Sequence, residues 1–211
     1  MKYLEFKDVF GKFPLISSSH IFNVTLKPHA LRDRLTVWQK KGLVIKLKRG
    51  LYILNESDRK IHPSRLFLAN SLYSPSYVST EYAFGYYDLI SEKVEDVTSV
   101  TTKKTAKFMN VFGTFVYQHL KTNLFFGFTQ IEDENGFPIL IAEPEKAMLD
   151  FIYFNLQDFK DKGKDIFRLS YRFQNLELLK KKKLKDFAQK YVNKGVIDIV
   201  GNLLSFMKEV S

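Results

Sequence analysis

The chain has 211 residues, 45% of them hydrophobic, and a formal net charge of +10. That length fits one large domain or two small ones, and no segment approaches the ~18 uncharged apolar residues that a membrane span needs. There is no cysteine, which excludes disulfides and thiolate metal sites and fits an intracellular, cytoplasmic protein.

The charge is unevenly placed. Residues 1–60 carry +8, residues 61–159 carry −5 and residues 160–194 carry +8 again. Two basic lobes flanking an acidic middle favour a polyanionic partner, but not one that coats the whole surface. The opening residues, MKYLEFKDVF, contain acids and no apolar h-region, so no signal peptide is expected.

Residues 2–13 read as a first helix, with Tyr3, Leu4, Phe6, Val9, Phe10 and Phe13 leaving one polar side. Ser17, Ser18 or Ser19 is placed to cap a short second helix through Asn23, with Ile21, Phe22 and Val24 apolar. Thr25 to Lys27 would be the turn into a third helix. There Pro28 suits a first turn, and Leu31, Leu35 and Trp38 recur at i, i+4, i+7 as one apolar stripe. Gly42 ends that helix. Leu43–Leu47 and Leu51–Leu54 are β-prone runs, joined by Lys48-Arg49-Gly50 as a tight turn. Alternation places Lys46 and Lys48 on one outer face.

Three helices followed by a basic hairpin predict a winged helix-turn-helix over residues 1–56. In that reading His29, Arg32, Asp33 and Thr36 meet base edges in the major groove of double-stranded operator DNA, while Lys40, Lys46, Lys48 and Arg49 take phosphates. The alternative is an ordinary surface helix and hairpin with solvated lysines.

Asn55 to His62 reads as a polar linker to a second domain, residues 57–211. Pro63 opens a helix to about Tyr73, Ser74-Pro75-Ser76 breaks it, and Ser79 caps another through Tyr87, with Glu81 favoured near its N-terminus. Val97–Thr102, Phe112–Leu120 and Leu124–Ile131 read as strands, and Asn135-Gly136 marks a hairpin into Phe137–Ile141. The expected architecture is α+β, with a small antiparallel sheet and helices. Ala142–Phe154 returns to helix, with Pro144, Glu143 and Glu145 suited to its start. Residues 157–165 read as a charged loop. Leu178–Lys194 and Val196–Glu209 read as two terminal helices divided by Gly195.

At this point four blocks, in order, resemble one family. They are KKGLVIKLKRGLYIL, SPSYVSTEYAFGYYDLI, VTSVTTKKTAKF and LIAEPEKAMLDFIYF. Together they look like the AbiEi antitoxin family over about residues 30–155, and the likeness weakens afterwards. The resemblance implies an antitoxin of a bacterial toxin–antitoxin or phage-abortive-infection operon. Its N-terminal winged helix would repress its own promoter, and its C-terminal domain would counteract a nucleotidyltransferase-like toxin. It also implies no enzymatic activity and no cofactor. A regulator with a ligand- or partner-sensing C-terminal domain and no toxin is the competing expectation.

Catalytic signatures are weak. Gly113-Thr114 is followed by no Asp-x-Asp pair of the kind that holds Mg²⁺ in a nucleotidyltransferase, and neither a P-loop nor G-x-G-x-x-G is present. His20, His29, His62 and His119 are too scattered to suggest a metal site. Glu143, Glu145 and Asp150 form a carboxylate group on paper; an acidic helix start plus one solvated acid is the simpler reading. Tyr82, Tyr86 and Tyr87 are placed to stack on bases or to pack in a core. Lys103, Lys104 and Lys107, and the run Lys180, Lys181, Lys182 and Lys183 with Lys185, Lys190 and Lys194, form either a second basic face for phosphates or toxin, or solvated charge clusters.

Overall fold

The computed structural model describes residues 1–23, 28–162, 166–167 and 172–209. The proposed turn Thr25–Lys27 and the side chains of Phe22, Pro28 and His29 lie outside the described set.

The N-terminal part begins with α1 (Tyr3–Phe10), β1 (Ile16–Ser17), α2 (Ser18–Asn23) and α3 (Pro28–Lys40). It closes with β2 (Val44–Lys48) and β3 (Leu51–Leu54). β3 lies between β1 and β2, antiparallel to both. Ser17 Oγ accepts the His20 N–H at 3.2 Å, so it caps α2. The stripe of Leu31, Leu35 and Trp38 is buried against Phe6, Phe10, Ile16 and Ile21. Gly42, at φ +68°, ends α3. Its N–H bonds Gln39 O and the Leu43 N–H bonds Trp38 O, the paired closure of a Schellman motif.

The linker is tied down. Lys7 pairs with Asp58 at 2.5 Å, the Tyr3 hydroxyl donates to the same carboxylate, and the Lys60 N–H bonds Gly11 O.

Beyond it come α4 (Arg65–Leu72), β4 (Ser76–Val78), α5 (Thr80–Tyr86), β5 (Val97–Thr101), β6 (Ala106–Asn110) and β7 (Gly113–His119). Then follow β8 (Phe128–Glu132), β9 (Pro138–Ala142), α6 (Pro144–Phe154), α7 (Leu156–Lys162), α8 (Lys181–Lys190) and α9 (Lys194–Glu209). The six strands form one sheet in the order β6-β7-β5-β4-β9-β8. The expected small antiparallel sheet is corrected here, because β4 pairs parallel with β9 and β5 parallel with β7. The hairpin signal at Asn135-Gly136 reports a local turn only, and so does the β6–β7 turn that the structure adds. Each hairpin then docks its second strand beside an earlier strand, and that pairing is parallel.

Three further expectations are corrected. Ser79 occupies the N-cap of α5 but makes no capping bond; its hydroxyl donates to Asp150 instead. Residues 156–162 are helical rather than loop, because Leu156 and Phe159 give the segment an apolar side; 163–165 lie outside the described residues. Gly195 sits in the first turn of α9 and does not divide two helices.

Two apolar clusters result. One fills the N-terminal part. The larger joins the six-stranded sheet to α4–α9, and it also takes in Leu15, Leu47, Leu51 and Ile53. The hairpin β2–β3 therefore contributes to both.

Candidate nucleic-acid interface

Because α3 buries Leu31, Leu35 and Trp38, its opposite face presents Arg32, Asp33, Thr36 and Lys40 to solvent. Thr36 Oγ1 donates to Arg32 O at 3.2 Å, which leaves the threonine oxygen held close to the helix. The β2–β3 turn is fixed beside this face. Gly50 is at φ +79°, the Ser18 N–H bonds Gly50 O at 2.9 Å, and a Cβ at Gly50 would stand 3.2 Å from Ser18 Oγ. A residue with a side chain fits poorly there on both counts.

An open cleft of about 550 Å³ lies between helix and turn. Arg32, Thr36 and Gln39 line it from α3, Arg49, Gly50 and Tyr52 from the hairpin, and Ser18 from α2. Of the predicted residues it gathers Arg32, Thr36 and Arg49. Asp33, Lys40 and Lys46 are exposed nearby in sequence but do not line it. His29 belongs to α3, with its side chain outside the described set. Gln39, Ser18 and Tyr52 complete the lining. Gln39 follows Thr36 by three and Arg32 by seven, so helical spacing alone would have found it.

Lys48 departs from its expected place. Strand pairing shifts register between Lys46 and Lys48, a β-bulge. Strict alternation is lost, and Val44 and Leu47 are both buried at a spacing of three. Lys46 is exposed, whereas Lys48 is half-buried with its Nζ 5.7 Å from the Phe108 ring centroid on β6. Burial, and then the nearby charge of Lys103, push the Lys48 ammonium below its ordinary pKa.

The other lysines fall into two groups. Lys103 and Lys104 occupy the β5–β6 turn and Lys107 lies on β6, all three exposed. Lys103 Nζ donates to Ser74 O at 2.5 Å and stands 5.3 Å from the Tyr73 ring. His119 Nδ1 bonds Lys103 O at 2.9 Å. On the second group, Lys181 and Lys182 are solvated at the start of α8. The Lys180 N–H bonds Glu145 Oε1 at 2.9 Å, and Lys183 pairs with Glu143 at 2.7 Å and Glu145 at 3.8 Å. These two acids anchor α8 to the start of α6.

Asp150 is corrected from a solvated acid to a fully buried one. Lys146, one turn before it on α6, is equally buried and forms a short ion pair with it. Tyr191 donates to Asp150 Oδ1 at 2.7 Å, and Tyr77 and Ser79 donate to Oδ2 at 2.9 and 2.8 Å. The ammonium also bonds the Tyr191 oxygen at 2.6 Å and faces the rings of Tyr191, Phe126 and Tyr77 at 5.0, 5.1 and 5.6 Å. Burial pushes Lys146 down against the pull of Asp150; burial and then Asp150 push Tyr77 and Tyr191 up. The ion pair and its three hydroxyl partners are all buried. The cluster ties α6, β4 and the end of α8 together and offers no surface to a ligand. Tyr87 is half-buried with its hydroxyl on Ala142 O and is pushed up to about 12, mainly by burial. Tyr86 remains exposed.

Among the described residues, no three His, Asp or Glu side chains gather as metal ligands, and no helix is long and apolar enough to cross a membrane. No protein-family model matches this chain, and comparison with curated proteins finds no match.

Proposed function

We propose that this chain is a sequence-specific duplex-DNA-binding repressor with an N-terminal winged helix-turn-helix, and that it acts as the antitoxin of a bacterial toxin–antitoxin operon. The observation that carries the DNA half is the single cleft in which Arg32 and Thr36 of α3 meet Arg49 of the β2–β3 turn. A helix with its basic face beside a basic hairpin suits a major groove and the phosphates flanking it. The order helix, strand, two helices and two strands, with β3 central in the small sheet, supports the same reading. The antitoxin half rests on the four sequence blocks resembling AbiEi-type proteins. Its partner is a nucleotidyltransferase-like toxin.

The test uses the full chain and the duplex upstream of its own reading frame. Arg32→Ala is expected to cost about 1–3 kcal/mol and relax selectivity at one base position. Arg49→Gln is expected to weaken all sequences alike and to flatten the salt slope by about one unit. A uniform loss from both sinks the division of labour, and unchanged binding sinks the site. For the antitoxin half, the chain is co-expressed with the adjacent gene and growth is scored. A toxic neighbour that the chain neutralises supports the reading; no rescue leaves a regulator whose C-terminal part senses a ligand or partner.

A further inference from the structure

Lys48 and Lys103 come from different parts of the chain, the β2–β3 hairpin and the turn after β5, yet they stand together. Lys48 Nζ lies over Phe108 and Lys103 Nζ over Tyr73, at 5.7 and 5.3 Å, and those two rings touch with centroids 5.6 Å apart. The two ammonium groups therefore sit on one aromatic platform. Both are held there. Leu47, beside Lys48, is buried in the large cluster, with Phe108 of β6 packed on the same cluster, and Lys103 is anchored to Ser74 O. Among the described residues no carboxylate pairs with either lysine. Each charge disfavours the other, and the Lys48 pKa is depressed first by burial and then by the charge of Lys103. A bound anion relieves that repulsion, since an anion shared by two ammonium groups makes charge-assisted bonds to both.

We infer that Lys48 and Lys103 form a preformed phosphate subsite for the DNA backbone, extending the interface from the β2–β3 turn onto the six-stranded sheet. The inference rests on the duplex-binding reading. It goes beyond it by removing Lys48 from the turn's own contacts and by assigning a contact to the second sheet. A backbone phosphate is favoured because Lys48 ends β2 immediately before Arg49, about 3.8 Å on between Cα atoms, and Arg49 lines the cleft with Arg32. A duplex seated against Arg32 and Arg49 carries its phosphates past Lys48.

The measurement is fluorescence anisotropy of the full chain on a random-sequence 30-base-pair duplex across a fourfold range of KCl. Phosphate contacts are independent of sequence, so no operator is needed. Lys103→Gln is expected to reduce the slope of log affinity against log salt by about 0.9, so that the wild type loses about 3.5-fold more affinity than the variant over that range. Lys48→Gln is expected to do the same, Lys103→Arg to restore the slope, and Lys93→Gln, away from the platform, to leave it unchanged. NMR of the lysine ε-methylenes with inorganic phosphate alone supplies the second arm. Wild-type binding with the full slope retained in Lys103→Gln overturns the subsite and spares the DNA reading. Phosphate-induced shifts at both lysines, again with the slope unchanged, reassign the pair to a free phosphate and overturn the backbone assignment. A wild-type chain that binds no duplex overturns both.

Discussion

Removing the charge of Asp150 provides the sharpest test of how the larger part of the protein is held. Its carboxylate accepts from Lys146 and from three hydroxyls, those of Tyr191, Tyr77 and Ser79. In Asp150→Asn the Lys146 ammonium keeps one hydroxyl and three ring faces but loses its counter-charge. Breaking a buried pair from one side costs about 3–5 kcal/mol, roughly a fifth or more of the ~5–15 kcal/mol that holds an ordinary domain. Lys146→Met leaves the carboxylate its three hydroxyl donors, so its cost belongs at the lower end, about 3 kcal/mol. The double variant Lys146→Met/Asp150→Asn should cost about 2 kcal/mol less than the sum, since the two groups share one interaction. The asparagine variant has a pH signature as well. Without Asp150 the Lys146 pKa falls further below 10.5, the direction burial already imposes. The unfolded chain then binds the extra proton, so stability rises with pH between the folded pKa and 10.5, by up to about 1.4 kcal/mol per unit. Urea unfolding of the three variants at pH 7 and pH 9 reads all of this. Single-variant costs under about 1 kcal/mol that add without coupling would refute an ionised pair at this position.

Above about pH 10, the buried tyrosines should act in the opposite direction. Tyr77, Tyr191 and Tyr117 all have pKa values pushed up by burial, with Asp150 adding to the first two. Their stabilisation is complete below the ordinary phenol value of 10 and is lost as pH climbs towards the folded values. Phenolate absorbance should therefore rise together with loss of helical circular dichroism, and phenolates appearing early in a folded chain would count against the burial argument. Gly50→Ala combines φ +79° with the approach to Ser18 Oγ, whereas Gly136→Ala combines φ +74° with open space. The left-handed conformation costs about 1–2 kcal/mol at either site, so Gly50→Ala should be the more destabilising in thermal melts. Equal losses would mean that the Ser18 contact does not hold the turn.

What was legible from the residues follows a physical line. α3 and its hairpin were readable because their signals are local: a 3.6-residue stripe, a glycine at the helix end and a glycine at the turn. Asn135-Gly136 was readable for the same reason. β1 and β4, two and three residues long, leave no periodicity to find. The parallel pairings join segments far apart in the chain, so no local pattern announces them. Lys48 was misplaced because a bulge changes which face a strand residue occupies, and bulges carry no reliable sequence mark here. Asp150 reads as one solvated acid, and nothing local marks it or its i,i+4 partner Lys146 as buried. Their burial depends on Tyr77 and Tyr191, 73 and 41 residues from Asp150.

The hairpin decides how the proposed functions have to be separated. The polar run at residues 55–62 suggests cutting after residue 56, but the apolar packing does not divide there. Leu15, Leu47, Leu51 and Ile53 are 8%, 3%, 8% and 1% exposed, all within the larger cluster. A chain starting at residue 57 would lose those four side chains and uncover the sheet surface they occupy. At about 25 cal/mol per Å² of apolar surface, that is several kcal/mol, enough to unfold a marginal domain. Failure of such a fragment to neutralise a toxin would then report on its folding rather than on where neutralisation resides. Arg32→Ala and Arg49→Gln in the full chain avoid this, because both side chains are exposed and neither belongs to either cluster. A full-length double variant that no longer binds duplex but still rescues growth would separate the two activities. Loss of both together would instead mean that neutralisation runs through DNA occupancy.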